Sequence, residues 1–333
     1  MATRVGTRGN NIINGTSASD NLFGDVSGNL SNANVGNDQL FGRGGNDFLF
    51  GDARTMLSGA VGGIDRLFGG TGNDNLFGDA FVMRGTSRGG ADRLLGEAGN
   101  DFLYGDAKTL VDTAVGGNDV LYGGDGRDVL NGDAHRLLER SRGGNDVLSG
   151  GAGDDLLHGD GYRLLDFARG GNDTLSGGAG NDFIYGDSFE DGSSRTAVGG
   201  NDRLFGNSGR DFLFGGGGRD ILNGGTGNDS LGGNAGADVF VFDRGCGHDR
   251  IEHFVGFDFM CEGQDFRPGQ DKIDLRAWDF ANFAAVQARM TDTTTSDMCD
   301  SDIPLLVISL SPTDSISLRY VEKADLRASD FLL

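Results

Sequence analysis

Apolar positions in this chain follow neither a helical period nor a long strand alternation. They recur singly, two residues behind an aspartate. Asp20, Asp38, Asp47, Asp65, Asp74, Asp92, Asp101, Asp119, Asp128, Asp146, Asp155, Asp173, Asp182, Asp202, Asp211, Asp220, Asp229 and Asp238 all obey this rule, and the residue at that offset is Leu except for Ile184 and Phe240. In "FIY" (Phe183–Tyr185) the apolar residue is flanked so that out–in–out alternation gives a strand of three residues. The aspartates form two series spaced 27 residues apart and offset by nine, which collapse to a spacing of nine from Asp202 onward. A strand of three residues buries almost nothing alone. Stacked copies bury a continuous Leu ladder, which predicts a repeat solenoid.

The residue after the inward position is aromatic at Phe23, Phe41, Phe50, Phe68, Phe77, Tyr104, Tyr122, Tyr185, Phe205 and Phe214, on the outer face of the predicted strands. Between Asp25, Asp52, Asp79, Asp106, Asp133, Asp160 or Asp187, each preceded by Gly, and the next "GGND"-type step lie gaps such as "AKTLVDTAV" and "AHRLLERSR". As half-turns of a strict nine-residue roll these would bury Asp112, Glu139 and Asp166, a costly choice. They are therefore expected to leave the roll and return. Their apolar pairs (Met56–Leu57, Val82–Met83, Leu110–Val111, Leu137–Leu138, Leu164–Leu165) are expected to fold back over the aromatics as an outer layer.

Composition explains the loops. The 333 residues contain 62 glycines and only three prolines. In "GGAGND" glycine admits positive φ and close backbone approach, so that carbonyls converge beside a carboxylate at a fixed offset. Hard oxygens in that arrangement suit Ca²⁺, which takes six to eight of them at about 2.3–2.6 Å. A net charge of −22 argues against nucleic acid or anionic membrane as partners. No apolar run reaches transmembrane length, and "MATRVGTRGNNIING" lacks the apolar stretch of a cleavable secretory signal.

"GGTGNDNLF" (Gly69–Phe77), "GGDGRDVLN" (Gly123–Asn131) and "GGTGNDSLG" (Gly224–Gly232) resemble the G-G-x-G-x-D-x-U-x nonapeptide of RTX (repeats-in-toxin) proteins. The resemblance implies an all-β fold, a right-handed parallel β-roll, here with regularly inserted excursions over residues 1–241. It also implies multiple Ca²⁺ ions held by the eighteen aspartates together with loop carbonyls. Those carbonyls belong to Gly70 and Gly72, and to Gly124, Gly126, Gly151, Gly153, Gly178, Gly180, Gly216, Gly218, Gly225 and Gly227. From Val239 the composition changes, and residues 242–333, ending "ADLRASDFLL", resemble the closing segment of serralysin-type proteins, which carries an uncleaved C-terminal type I secretion signal. The implied location is outside the cell, with the type I export machinery as a partner. Such a region also caps the open end of a stacked array, the opposite end being a weaker turn with Asn11 in the aspartate position.

No catalytic group is expected. The histidines of "HDRIEH" are five apart, which does not place two zinc ligands on one helix face. "GTSRG" (Gly85–Gly89) fits the nucleophile-elbow pattern in letters only, without its strand–turn–helix context. The reading is a secreted calcium-binding structural protein that folds on meeting Ca²⁺, whose external partner is an acidic or neutral polysaccharide or another copy of the chain. The alternative is an accessory domain for an enzyme on a separate chain. Arg54, Arg84, Arg88, Lys108, Arg136, Arg140, Arg142, Arg163, Arg169 and Arg195 lie in the gaps, where they either pair with neighbouring carboxylates, the preferred reading, or form a basic stripe. Cys246, Cys261 and Cys299 allow one disulfide, and the sequence does not select the pair.

Overall fold

A computed structural model describes residues 1–190, 198–252, 265–295 and 303–333. The inward Leu of each repeat sets the architecture. Every one of the eighteen predicted inward residues, from Leu22 to Phe240, is at most 1% exposed and belongs to one continuous core between two parallel sheets. Sheet I begins with Ala2–Val5 and Asp20–Phe23 and continues through Phe48–Phe50, Asn75–Phe77 and Phe102–Tyr104 to Ser230–Gly236 and beyond. Sheet II runs from Ile12–Asn14 through Arg93–Ala98 and Val120–Asp125 to Lys272–Asp274 and Phe331–Leu332. Pairing is parallel and in register, so Leu94 lies over Leu67 and Leu121, and Leu103 over Leu76 and Leu130.

The inserted segments leave the two-sheet roll at the Gly-Asp step and return before "GGND", as expected, but they are as regular as the roll itself. They stack into a third parallel sheet of seven strands, including Ala53–Met56, Ala80–Met83, Ala107–Leu110, Ala134–Leu137 and Gly161–Leu164. Asp112, Glu139 and Asp166 are not inward. They are exposed turn residues with φ of 65°, 62° and 61°, after which Ala114 and Ala168 point back inside. The longer last gap falls on residues 191–197, outside the described ones.

The sheet III segments build a core of their own instead of lying over the aromatics. Met56, Met83, Leu110, Leu137 and Leu164 pack with Ala53, Ala80, Ala107 and Ala134 and with Ala60, Ala114 and Ala168 on the return path. The aromatics are divided between two faces. Phe23, Phe50, Phe77 and Tyr104 on sheet I form a buried column with ring centroids 4.7–5.0 Å apart, against which Phe81 of sheet III packs. Tyr185 and Phe214 continue that column higher up. Phe41, Phe68 and Phe205 on sheet II are only half-buried, and Tyr122 is exposed beneath the guanidinium of Arg93. The apolar pairs therefore do not cover the aromatics as expected: on sheet I it is Phe81, the residue after the leading Ala80, that packs against the column, and on sheet II the aromatics stay half-buried or exposed.

The C-terminal part extends both sheets. His248–Ile251 pairs with Ser230–Gly236, and Lys272–Asp274 pairs with Val239–Val241. Ser315–Arg319 then joins sheet I, and the antiparallel strands Ile303–Ser309 and Met290–Thr295 end it. A short helix, Phe283–Gln287, is capped by Asn282, whose side chain accepts from the Ala285 N–H. Val286, Leu306, Ile308, Ile316 and Leu318 close the Leu ladder against water. Cys246 is a buried free thiol; Cys261 and Cys299 lie outside the described residues, and with them the disulfide question.

Candidate metal centre

Stacking brings the eighteen aspartates into two columns, one on each side of sheet II. Asp20, Asp47, Asp74, Asp101, Asp128, Asp155, Asp182, Asp211 and Asp229 stand where sheet II turns into sheet I. Asp38, Asp65, Asp92, Asp119, Asp146, Asp173, Asp202, Asp220 and Asp238 stand where the chain re-enters sheet II. Each backbone N–H donates to Oδ1 of the aspartate one turn on, as in Asp74 to Asp101 and Asp92 to Asp119, both at 2.7 Å. The second oxygen is different. Oδ2 is buried without a hydrogen-bond partner in sixteen of the eighteen, all but Asp20 and Asp238. Asp20, at the end turn, places Oδ2 2.7 Å from the Thr16 N–H instead.

The predicted glycines supply the other donors. Gly70, Gly72, Gly124, Gly126, Gly151, Gly153, Gly178, Gly180, Gly216, Gly218, Gly225 and Gly227 all have positive φ, from 96° at Gly225 to 149° at Gly227. A Cβ on Gly126 would collide with the Gly99 carbonyl oxygen of the previous turn, and one on Gly123 with Asp128 Oδ2. Carbonyl and carboxylate oxygens therefore crowd together between successive loops, where only glycine fits. Among the described residues no three Asp, Glu, His or Cys side chains converge on one point. The donor set is carboxylate plus carbonyl, the mixture of hard oxygens that Ca²⁺ accepts and softer metals do not favour.

Electrostatics demand a counter-charge. Burial pushes Asp128, Asp155 and Asp182 up to about 6, and Asp101 and Asp211 up to about 7. Asp92, Asp119 and Asp146 are driven well above the carboxylate range by burial first and neighbouring carboxylates second. A cation between the turns would offset both causes by favouring the charged form.

Two ligand-like aspartates escaped the sequence reading. Asp249 accepts from the Asp229 N–H and Asp271 from the Asp238 N–H, continuing the columns into the C-terminal part. Each is followed two residues on by a buried Ile, Ile251 and Ile273, so the D-x-apolar signal was present in "GHDRI" and "GQDKI". The wider change of composition hid it.

Fold and columns together define a repeat β-solenoid whose loops are built around cations. The family model of the RTX calcium-binding nonapeptide repeat matches residues 5–29, 27–53, 60–80, 87–107, 113–135, 141–161, 167–192, 196–231 and 214–245, and the chain belongs to that family. Between 53 and 167 the matched segments break off at the start of the sheet III strands and resume before the return to sheet II. No curated protein matches the chain.

Proposed function

We propose that this calcium-binding repeat protein is a secreted structural component that stays extended until it meets Ca²⁺ outside the cell and then folds into a rod. The observation that carries the reading is the double column of buried carboxylate oxygens without partners. Without a cation these charges repel within a shielded loop; with one, binding free energy becomes folding free energy. RTX repeat proteins are typically secreted, and no helix among the described residues is long and apolar enough to cross a membrane. Export through a type I channel by the C-terminal segment rests on its resemblance to the serralysin-type end.

The rod's surface supports a binding role outside the cell rather than catalysis. Ser87 of the "GTSRG" match is fully buried in the sheet III core, alongside Ala60 and Ala114, where no substrate reaches it. Arg136 pairs in register with Arg163, and Arg142 with Arg169, so part of the third face carries a basic strip. Arg54 and Lys108 lie over the two faces of the Phe81 ring, at 6.0 and 5.6 Å, an arrangement that orders cations on this face. Arg195 lies outside the described residues. An acidic polysaccharide suits the strip. The test is far-UV circular dichroism with chelator, Ca²⁺ and Mg²⁺ in turn: a cooperative coil-to-β change with millimolar Ca²⁺ alone supports the reading, and a metal-free chain already β-rich at neutral pH overturns it.

A further inference from the structure

The aspartates of the Gly-Asp steps occupy a defined place in the nonapeptide. In a continuous loop such as Gly123-Gly124-Asp125-Gly126-Arg127-Asp128, the first glycine faces Oδ2 of the sixth-position aspartate and the fourth abuts a glycine carbonyl one turn back. On the other column the same relations hold across an interruption. Gly105 faces Asp119 Oδ2, and Gly117 abuts the Gly90 carbonyl. The Asp119 N–H donates to Asp146 Oδ1 at 2.7 Å, as that of Asp128 does to Asp155 at 2.8 Å. Gly105 and Asp106 are therefore positions one and two of a calcium loop, and Gly116 to Asp119 are positions three to six. The nine residues 107–115, which form the third face, are inserted inside the loop.

At position two the split loops carry Asp where the nonapeptide has Gly. The Asp106 carbonyl is committed to the ladder, accepting from the N–H groups of Asp79 (3.0 Å) and Ala80 (3.1 Å). The carboxylate turns inward instead. Its Oδ1 accepts from Gly117 at 2.8 Å, while Oδ2 is buried without a partner, and Asp133 and Asp160 repeat both features. All three side chains are fully buried. A Cβ on Gly116 would collide with the carboxylates of both Asp106 and Asp133, so oxygens of successive turns crowd the same point.

We propose that Asp106, Asp133 and Asp160 are direct Ca²⁺ ligands whose carboxylates replace the position-two carbonyl; Asp52 and Asp79 hold the same position, but both their oxygens accept from the N–H groups of Gly63 and Gly90, respectively. The inference rests on the calcium reading above. Each split loop then offers two carboxylates of its own, as in Asp106 with Asp119, where a continuous loop offers one at the sixth position, as in Asp128. Affinity rises with ligand charge, so the split-loop column fills first and the chain has two classes of site.

The experiment is calorimetric Ca²⁺ titration of the full chain, compared with Asp106→Asn/Asp133→Asn/Asp160→Asn and with Asp101→Asn/Asp128→Asn/Asp155→Asn. Asn keeps the size and the acceptor that a turn-capping role needs and removes the charge. The expected result is a biphasic wild type whose tight phase weakens at least tenfold in the first variant and persists in the second. Unchanged affinity and stoichiometry in the first variant overturns the assignment while leaving calcium binding intact. A wild type that binds no Ca²⁺ refutes the underlying reading instead. Should the triple variant stay unfolded in saturating Ca²⁺, Asp133→Asn alone is titrated, where flanking turns hold the rod: loss of tight equivalents supports the proposal and an unchanged count overturns it.

Discussion

Acidification without calcium should fold this protein. Asp128, Asp155 and Asp182 are pushed up to about 6 by burial, Asp101 and Asp211 to about 7, and Asp65 to about 8. In the unfolded chain they titrate near 3.9. The folded form therefore binds more protons between pH 4 and about 7, and its stability falls as pH rises through that window. A shift of about two units corresponds to ~3 kcal/mol at neutral pH, reduced to about a third of that by solvent screening at the loop edges. Even at ~1 kcal/mol each, sixteen carboxylates with a buried unpartnered oxygen match or exceed the roughly 5–15 kcal/mol that holds an ordinary domain together. At pH 7.5 with chelator the chain should be coil-like, and near pH 4.5 it should gain β-structure with measurable proton uptake. Saturating Ca²⁺ should flatten the pH dependence above about pH 5.5, because the metal takes the place of the proton. Circular dichroism and potentiometric titration follow both, at low micromolar protein since the sequence pI is about 4.4. A β-rich metal-free chain at pH 7.5, or a chain still coil-like at pH 4.5, would refute the reasoning.

Leu137 is fully buried in the sheet III core, so Leu137→Asp with Leu138→Asp should cost more than about 3 kcal/mol in calcium-saturated denaturant melts and raise hydrophobic-dye binding; an unchanged melt would mean the third face carries no stability. Gly126→Ala meets both a φ of 141° and the Gly99 carbonyl, and should lower the number of bound Ca²⁺ ions, whereas Gly28→Ala, with open space around it, should leave calorimetry unchanged. Removing the chain from Ser329 onward should abolish type I export while the repeats still bind Ca²⁺; normal secretion of the shortened chain contradicts the export assignment.

The two-column roll was legible because one physical rule governs it. An inward Leu needs an aspartate two residues earlier to hold the preceding turn, and Leu94 and Leu121 sit in register for that reason. The third face was less legible because its insertion happens to be nine residues long, the length of one repeat. Counting in nines from Asp101 keeps the rhythm through to Asp119 and places Asp112 at a repeat position, whereas the chain places it at an exposed left-handed turn. The true break falls inside a loop, between Asp106 and Gly116, and only the contact of Gly105 with Asp119 across that break reveals it. Splitting the loop also explains why the third sheet is regular. Both ends of every insertion are fixed by the same pair of stacked loop halves, so each insertion starts and finishes one turn above the last, and parallel pairing with its predecessor follows. Ala107 lies over Ala80 and Leu110 over Met83 because Gly105 and Gly117 are already locked to the turns beside them. The third core and the split-loop column are thus mutually dependent. Packing of Leu110 and Leu137 closes the split loops, and a cation bound as proposed would hold Asp106 against Asp119 and so reinforce the register of that packing.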